Sequence, residues 1–142
     1  MLIFSAFGSS AQTTEDEIDY MQAIFGMEKR AALQNFLIFE EGEEAAFWKL
    51  YDEYELTRKV YGKERIKLLN KFTESFDKMS DEESNVWMNS VIALRKKNEK
   101  LIESYYKKVR KECSASVAMQ FYQLESYVLA GIRFQILESL PF

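Results

Sequence analysis

At 142 residues, 47% hydrophobic and 15% aromatic, the chain has the size for one domain with a single core, and its lone proline at position 141 leaves long helices unbroken. It contains no histidine, which excludes Ser-His-Asp and Cys-His catalysis, zinc-enzyme sites and histidine-based metal sensing in their usual forms. The net charge of −4 is unevenly spread: residues 15–55 carry twelve acids against three bases, whereas residues 95–111 carry eight bases against two acids.

The first twelve residues, Met1 to Gln12, run from an apolar stretch into small residues, with Ser9 and Ala11 at the −3 and −1 positions of a cleavage site before Gln12. They read as the back half of a secretory signal peptide that lacks its basic n-region and is truncated at its N-terminus, or else as the hydrophobic start of a cytosolic protein. The first reading places the protein in the periplasm or outside the cell, as a signal-peptide remnant (1–12) followed by one helical domain (13–142). Nothing else approaches the roughly 18 apolar residues of a membrane span, so no integral membrane segment is expected.

Thr14 is a fair N-cap, and the spacing of Ile18, Met21, Ile24 (or Phe25), Leu33 and Phe36 predicts a first helix from Glu15 to Phe36. Leu37 to Gly42 breaks that pattern and is assigned to a connection. A second helix is predicted from Glu43 to Lys78 on the stripe Phe47, Tyr51, Tyr54, Arg58, Tyr61, Arg65, Leu68, Phe72, Phe76 (or Ser75) and Met79, a heptad-like seam whose weak point is Gly62. Ser80-Asp81-Glu82-Glu83 is a capping box, and a third helix follows from Asp81 to Glu112 with Trp87, Val91, Leu94, Asn98, Leu101 (or Ile102), Tyr105 and Val109 on one side. Ser114 or Ser116 caps a fourth helix that runs to Ser139, with Val117, Phe121, Leu124, Val128 and Ile132 inward. The expected fold is all-α: four helices, two or three of them long and antiparallel, in an extended bundle or helical hairpin.

Polar residues within these stripes are the candidate binding groups. Arg58 and Arg65 lie one heptad apart on the second helix. They either snorkel and pair with carboxylates of a neighbouring helix, with Glu125 the preferred partner, or line a groove for an anionic or peptide ligand. Arg133 poses the same question on the fourth helix, and Asn98 reads as a register-setting amide. The basic half of the third helix offers Arg95, Lys96, Lys100, Lys107 and Lys108, and the aromatic run offers Phe47, Trp48, Tyr51 and Tyr54 as either core or binding surface. Dense acids at Glu40-Glu41 and Glu43-Glu44 lie where solvated loop charge is expected, there is no Gly-rich phosphate loop, and a di-metal bundle would need histidine. No enzyme activity, cofactor or metal is therefore expected, and the pI near 5.1 argues against nucleic acid as a partner. The single cysteine, Cys113, is an inert thiol or a group for intermolecular pairing or redox sensing.

Phe47-Trp48-x-x-Tyr51-x-x-Tyr54, Arg65-Ile66, Phe72, Met79-Ser80-Asp81-Glu82-Glu83, Tyr106-Lys107, Phe121-Tyr122-Gln123-Leu124-Glu125 and Leu140-Pro141 together resemble a group of small exported helical proteins. This is the Spy/CpxP-like group, which includes sensors tied to extracytoplasmic-function sigma factors, and the resemblance covers residues 18–142. The chaperones of that group carry LTxxQ elements at helix starts, where this chain reads Leu37-Ile38-Phe39-Glu40-Glu41 and Met79-Ser80-Asp81-Glu82-Glu83. The resemblance implies a periplasmic, dimeric protein whose concave face handles unfolded clients or reports envelope stress. The expected function is accordingly a non-enzymatic binding protein, an ATP-independent chaperone or envelope-stress sensor whose partners are unfolded or partly folded proteins or an envelope signalling protein. The alternative is a structural protein of the cell envelope that self-assembles through its acidic–basic polarity.

Overall fold

The computed structural model describes residues 15–139, which form four α-helices: α1 (Glu15–Phe36), α2 (Glu43–Ser75), α3 (Asp81–Glu112) and α4 (Ala115–Ser139). The segment 1–12 read as a signal-peptide remnant, the expected Thr14 cap, the terminal Leu140-Pro141 and the side chains of Ile18 and Met21 lie outside the described residues.

Local chemistry sets the helix borders. Ser80 is extended (φ −68°, ψ 166°), its Oγ accepts from the Glu83 amide at 3.2 Å, and its own amide donates to Glu83 Oε2 at 3.0 Å. That reciprocal capping satisfies two otherwise orphaned donors and stabilises a helix start by about 1 kcal/mol. Three acids in the first turn of α3 and Arg110 and Lys111 in its last turn complement the helix dipole. Of the two serines that compete to cap α4, Ser114 does so, its Oγ accepting from the Val117 amide at 3.2 Å. Gly42 opens α2 in the left-handed region (φ 84°), where a Cβ would be strained. The expected end of α2 at Lys78 is corrected to Ser75: Phe76–Lys78 form a turn, with the Lys78 amide donating to the Ser75 carbonyl at 3.0 Å, because the extended Ser80 cap requires the chain to leave the helix first.

Neighbouring helices run antiparallel around a ring. Arg30–Asp52 and Asp19–Lys63 ion pairs tie α1 to α2, the Trp87 indole N–H donates to the Leu68 carbonyl from α3 to α2 at 2.9 Å, and Tyr106 meets Tyr122 between α3 and α4. α1 closes the ring against α4 through Lys29 and Glu125, and in the connection after α1 the Ile38 amide donates to Gln120 Oε1 at 2.9 Å. The short connections leave little alternative to this up-down-up-down order.

Inside sits one aromatic cluster. Phe47, Tyr51 and Tyr54 are at most 2% exposed, with Phe47 and Tyr51 stacked 5.8 Å apart and Tyr54 edge-on to Phe121 at 5.4 Å. Leu33, Ile102, Val109, Val117 and Ala118 fill the remaining space, and Trp48 covers the edge. The inner face of α1 differs from the expected stripe. Leu33 is buried as expected, and of the alternatives Ile24 and Phe25 it is half-buried Phe25 that turns inward, but Phe36 is 66% exposed, while Gln22 and Lys29 are buried. α1 is rotated to put these polar groups inside because they have charged partners there.

Candidate functional site

Two features interrupt the apolar interior. The first is an ionic network at the level of Tyr54. Lys29 Nζ of α1 contacts Oε1 of both Glu55 (α2) and Glu125 (α4), the latter at 2.6 Å, and its side chain is fully buried. Tyr54 Oη donates to the same Glu125 oxygen at 2.7 Å. Arg58 Nε donates to Glu55 Oε1 at 2.8 Å, and its Nη2 donates to Gln22 Oε1 at 3.3 Å. Two cations therefore balance two carboxylates in a space with almost no water access, the condition under which buried charge is tolerated. Aromatic faces add to this: Lys29 Nζ is 5.4 Å from the Tyr54 ring centroid, and the Arg58 guanidinium is 5.2 Å from that of Phe25.

Proton affinities follow the geometry. Burial alone would raise the Glu55 carboxyl, yet Lys29 and Arg58 together hold it below its ordinary value. Burial and the adjacent Glu125 carboxylate push the Tyr54 hydroxyl well up, and burial with Glu55 does the same to Tyr51. Burial would lower Arg58, but Glu55 raises it. Because each carboxylate is already neutralised by a fixed cation, the network is suited to tying helices in register rather than to moving protons. Glu125 was expected to pair with an α2 arginine. Its partners are instead Lys29 and Tyr54, and Arg58 turns back to Glu55 on its own helix, because α1 inserts Lys29 beside Glu125. Lys29 itself was missed, although Phe25, Lys29 and Leu33 follow one another at four-residue steps on a single face.

The second feature is a groove of about 480 Å³ between α2, α3 and α4. α2 contributes Arg65, Leu68 and Leu69. Along α3 the wall is Trp87, Val91, Leu94 and Ile102, with Arg95, Asn98 and Glu99 toward the rim. Tyr122, Ser126, Leu129, Arg133 and Leu137 supply the α4 side. Trp87 is fixed at one end by its bond to the Leu68 carbonyl and by Phe72, whose ring centroid is 4.8 Å away. Asn98 donates to the Leu94 carbonyl of its own helix at 3.0 Å rather than across to a neighbour. Arg95 pairs with Glu99 at 3.3 Å. Arg65 and Arg133, by contrast, form no ion pair among the described residues. Burial, then Arg58, then Arg133 all disfavour the charge on Arg65 and lower its proton affinity.

The candidate binding residues thus fall in four places. Tyr51 is in the core, beside half-buried Trp48, whose ring carries the Arg30 guanidinium at 4.3 Å. Arg58 belongs to the ionic network, and Arg65 and Arg95 to the groove. Lys96, Lys100, Lys107 and Lys108 stand exposed on the outer side of α3, Lys108 lying over the Tyr105 ring at 4.3 Å. Just before them, Met88 and Ile92 are exposed at the same four-residue step as Lys96 and Lys100. Cys113 is half-buried, its thiol directed at the Glu43 carbonyl at 3.6 Å and pushed up in proton affinity by burial and by Glu43 and Glu112.

Among the described residues no helix is long and apolar enough to cross a membrane, and no group of three or more Asp, Glu, Cys or His side chains is placed to hold a metal ion. No family model, curated protein or solved structure matches the chain, so the geometry and charge of these surfaces are what bear on its function.

Proposed function

We propose that the protein is a non-enzymatic binding protein of the cell envelope, an ATP-independent chaperone or envelope-stress sensor of the Spy/CpxP-like kind. The observation that carries this reading is the outer face of α3, where exposed Met88 and Ile92 run into Lys96 and Lys100. Neither lysine forms an ion pair among the described residues, nor does Lys107 further along. Apolar surface beside free positive charge attracts partly folded segments that combine exposed apolar side chains with acids, without requiring one sequence. The test is suppression of aggregation of a chemically denatured client without nucleotide. Suppression at near-stoichiometric ratios, weakened by Lys96→Glu with Lys100→Glu, is expected; no suppression at several-fold excess rejects the reading.

A second reading, self-assembly through charge polarity, is favoured by one further observation. Asp16 and Glu28 on α1 are exposed and form no ion pair among the described residues, so acid on one helix and base on another both remain available between copies. Surface charges are screened beyond about 10 Å at 0.1 M salt. Solution mass should therefore fall as salt rises; a mass independent of salt counts against this reading.

A further inference from the structure

We propose that the groove between α2, α3 and α4 is a binding site for a single long-chain carboxylate, the anion of a fatty acid, separate from the outer face of α3. Its dimensions select the tail. The lining runs along α3 from Trp87 to Ile102, which is about 22 Å of helix. A groove of about 480 Å³ that is long and mostly apolar suits an extended hydrocarbon tail lying along it. The volume also falls within the ~300–1,000 Å³ that bound small molecules occupy. Leu68, Trp87, Val91 and Leu129 give the walls the apolar character such a tail requires.

The charges select the head. Arg65 reaches the groove from α2 and Arg133 from α4, and neither has a carboxylate within the described chain. Both line the same groove, and Arg133 adds to burial and Arg58 in disfavouring the charge on Arg65, so an anion lying between them would relieve a repulsion that no carboxylate of the described residues compensates. A planar guanidinium matches a carboxylate through two parallel N–H···O bonds. Glu99 on the rim is paired with Arg95, so the charges of the groove left for a ligand are those of Arg65 and Arg133.

Trp87 is the natural reporter, since it lines the groove and the only other tryptophan is Trp48. With Trp48→Phe as background, dodecanoate titrated below its micelle threshold should shift the Trp87 emission saturably. Dodecanol, with the same tail and no charge, should bind about tenfold more weakly or worse, because it forgoes the charge-assisted bonds. Arg65→Gln with Arg133→Gln should weaken dodecanoate by about tenfold and leave dodecanol unchanged. Lys96→Glu with Lys100→Glu should leave dodecanoate binding intact, which separates this site from the proposed client surface. Leu129→Trp, which fills the groove without touching its charges, should abolish binding of both ligands. The proposal is overturned by equal affinity for dodecanol, by indifference to the arginine pair, by retained binding in Leu129→Trp, or by the absence of a saturable response.

Discussion

Lys29 Nζ on α1 meets Glu125 Oε1 on α4 at 2.6 Å across 96 positions of sequence, with both side chains completely buried. This contact does for α1 what apolar packing does for the other helices. α1 contributes Leu33 to the aromatic cluster, but toward its start Gln22 and Lys29 occupy the inner face, so its attachment there rests on hydrogen-bonded charge. Such contacts are directional. A slip of α1 by one residue would take the Lys29 ammonium away from Glu55 and Glu125, leaving Glu125 with only the Tyr54 hydroxyl as donor, which penalises the wrong register more than an apolar seam would.

Removing one member of the network is therefore expected to cost more than removing two. Lys29→Met leaves Glu125 buried with only the Tyr54 hydroxyl as donor, and should lower unfolding free energy by about 3–5 kcal/mol in a urea titration. Adding Glu125→Leu to that variant should recover a substantial part of the loss, because the orphaned charge is gone. If the two substitutions simply add, the buried pair is not coupled and the register argument fails.

Acid should unfasten the same network. The folded-state proton affinity of Glu55 lies below its ordinary 4.5, so its contribution is complete above that value and is lost as pH falls through the lower folded value. Stability of the wild type should drop below about pH 4.5, and Glu55→Gln should show a shallower drop in that range while being less stable at neutral pH. Urea midpoints measured between neutral pH and about pH 3 decide the matter; parallel curves for the two proteins would show that Glu55 does not contribute to the acid limb.

At the alkaline end the sign reverses. Tyr54 in the folded protein holds its proton well above the ordinary 10.0, so its contribution is intact below pH 10.0 and is lost as unfolded tyrosine ionises above it. Tyr51 is shifted the same way by burial, so Tyr54→Phe should flatten the alkaline slope without abolishing it. At neutral pH the substitution forfeits a hydrogen bond to a carboxylate, a loss of about 1.5–3 kcal/mol. An unchanged alkaline slope would mean that Tyr54 ionises in the folded state.

Most of this architecture is legible in the sequence because helix borders are local chemistry. Ser80 with Glu83, Gly42 and Ser114 each act within a few residues, and the starts of α2, α3 and α4 fall there. The interior of α1 is less legible for a specific reason. A count of apolar spacing admits Ile24 and Phe36 and rejects Gln22 and Lys29, whereas the folded protein can bury a lysine whenever two carboxylates from other helices wait for it. Those carboxylates are 26 and 96 residues away, beyond any local pattern. The groove is not legible at all, since it is the volume left between three helices. Only the heptad spacing of Arg58 and Arg65, two cations on an apolar seam, hints that something other than packing happens there.

That seam also contains a place where an α1 side chain lies directly on the α2 backbone. A Cβ built on Gly62 would collide with Nε2 of Gln22, a side chain that is itself buried and accepts from Arg58. Alanine at an ordinary helix-interior glycine gains about 1 kcal/mol from helix propensity. Here the gain is opposed: to admit the methyl group the Gln22 amide must move, and its bond to Arg58 at 3.3 Å goes with it. Gly62→Ala alone should therefore leave stability unchanged or slightly lower. In a Gln22→Ala background, where the amide is already gone, the same substitution should raise stability by about 1 kcal/mol. A double-mutant cycle by urea unfolding measures the difference directly. An equal gain in both backgrounds would show that Gln22 yields freely, and that glycine is not required at this contact between α1 and α2.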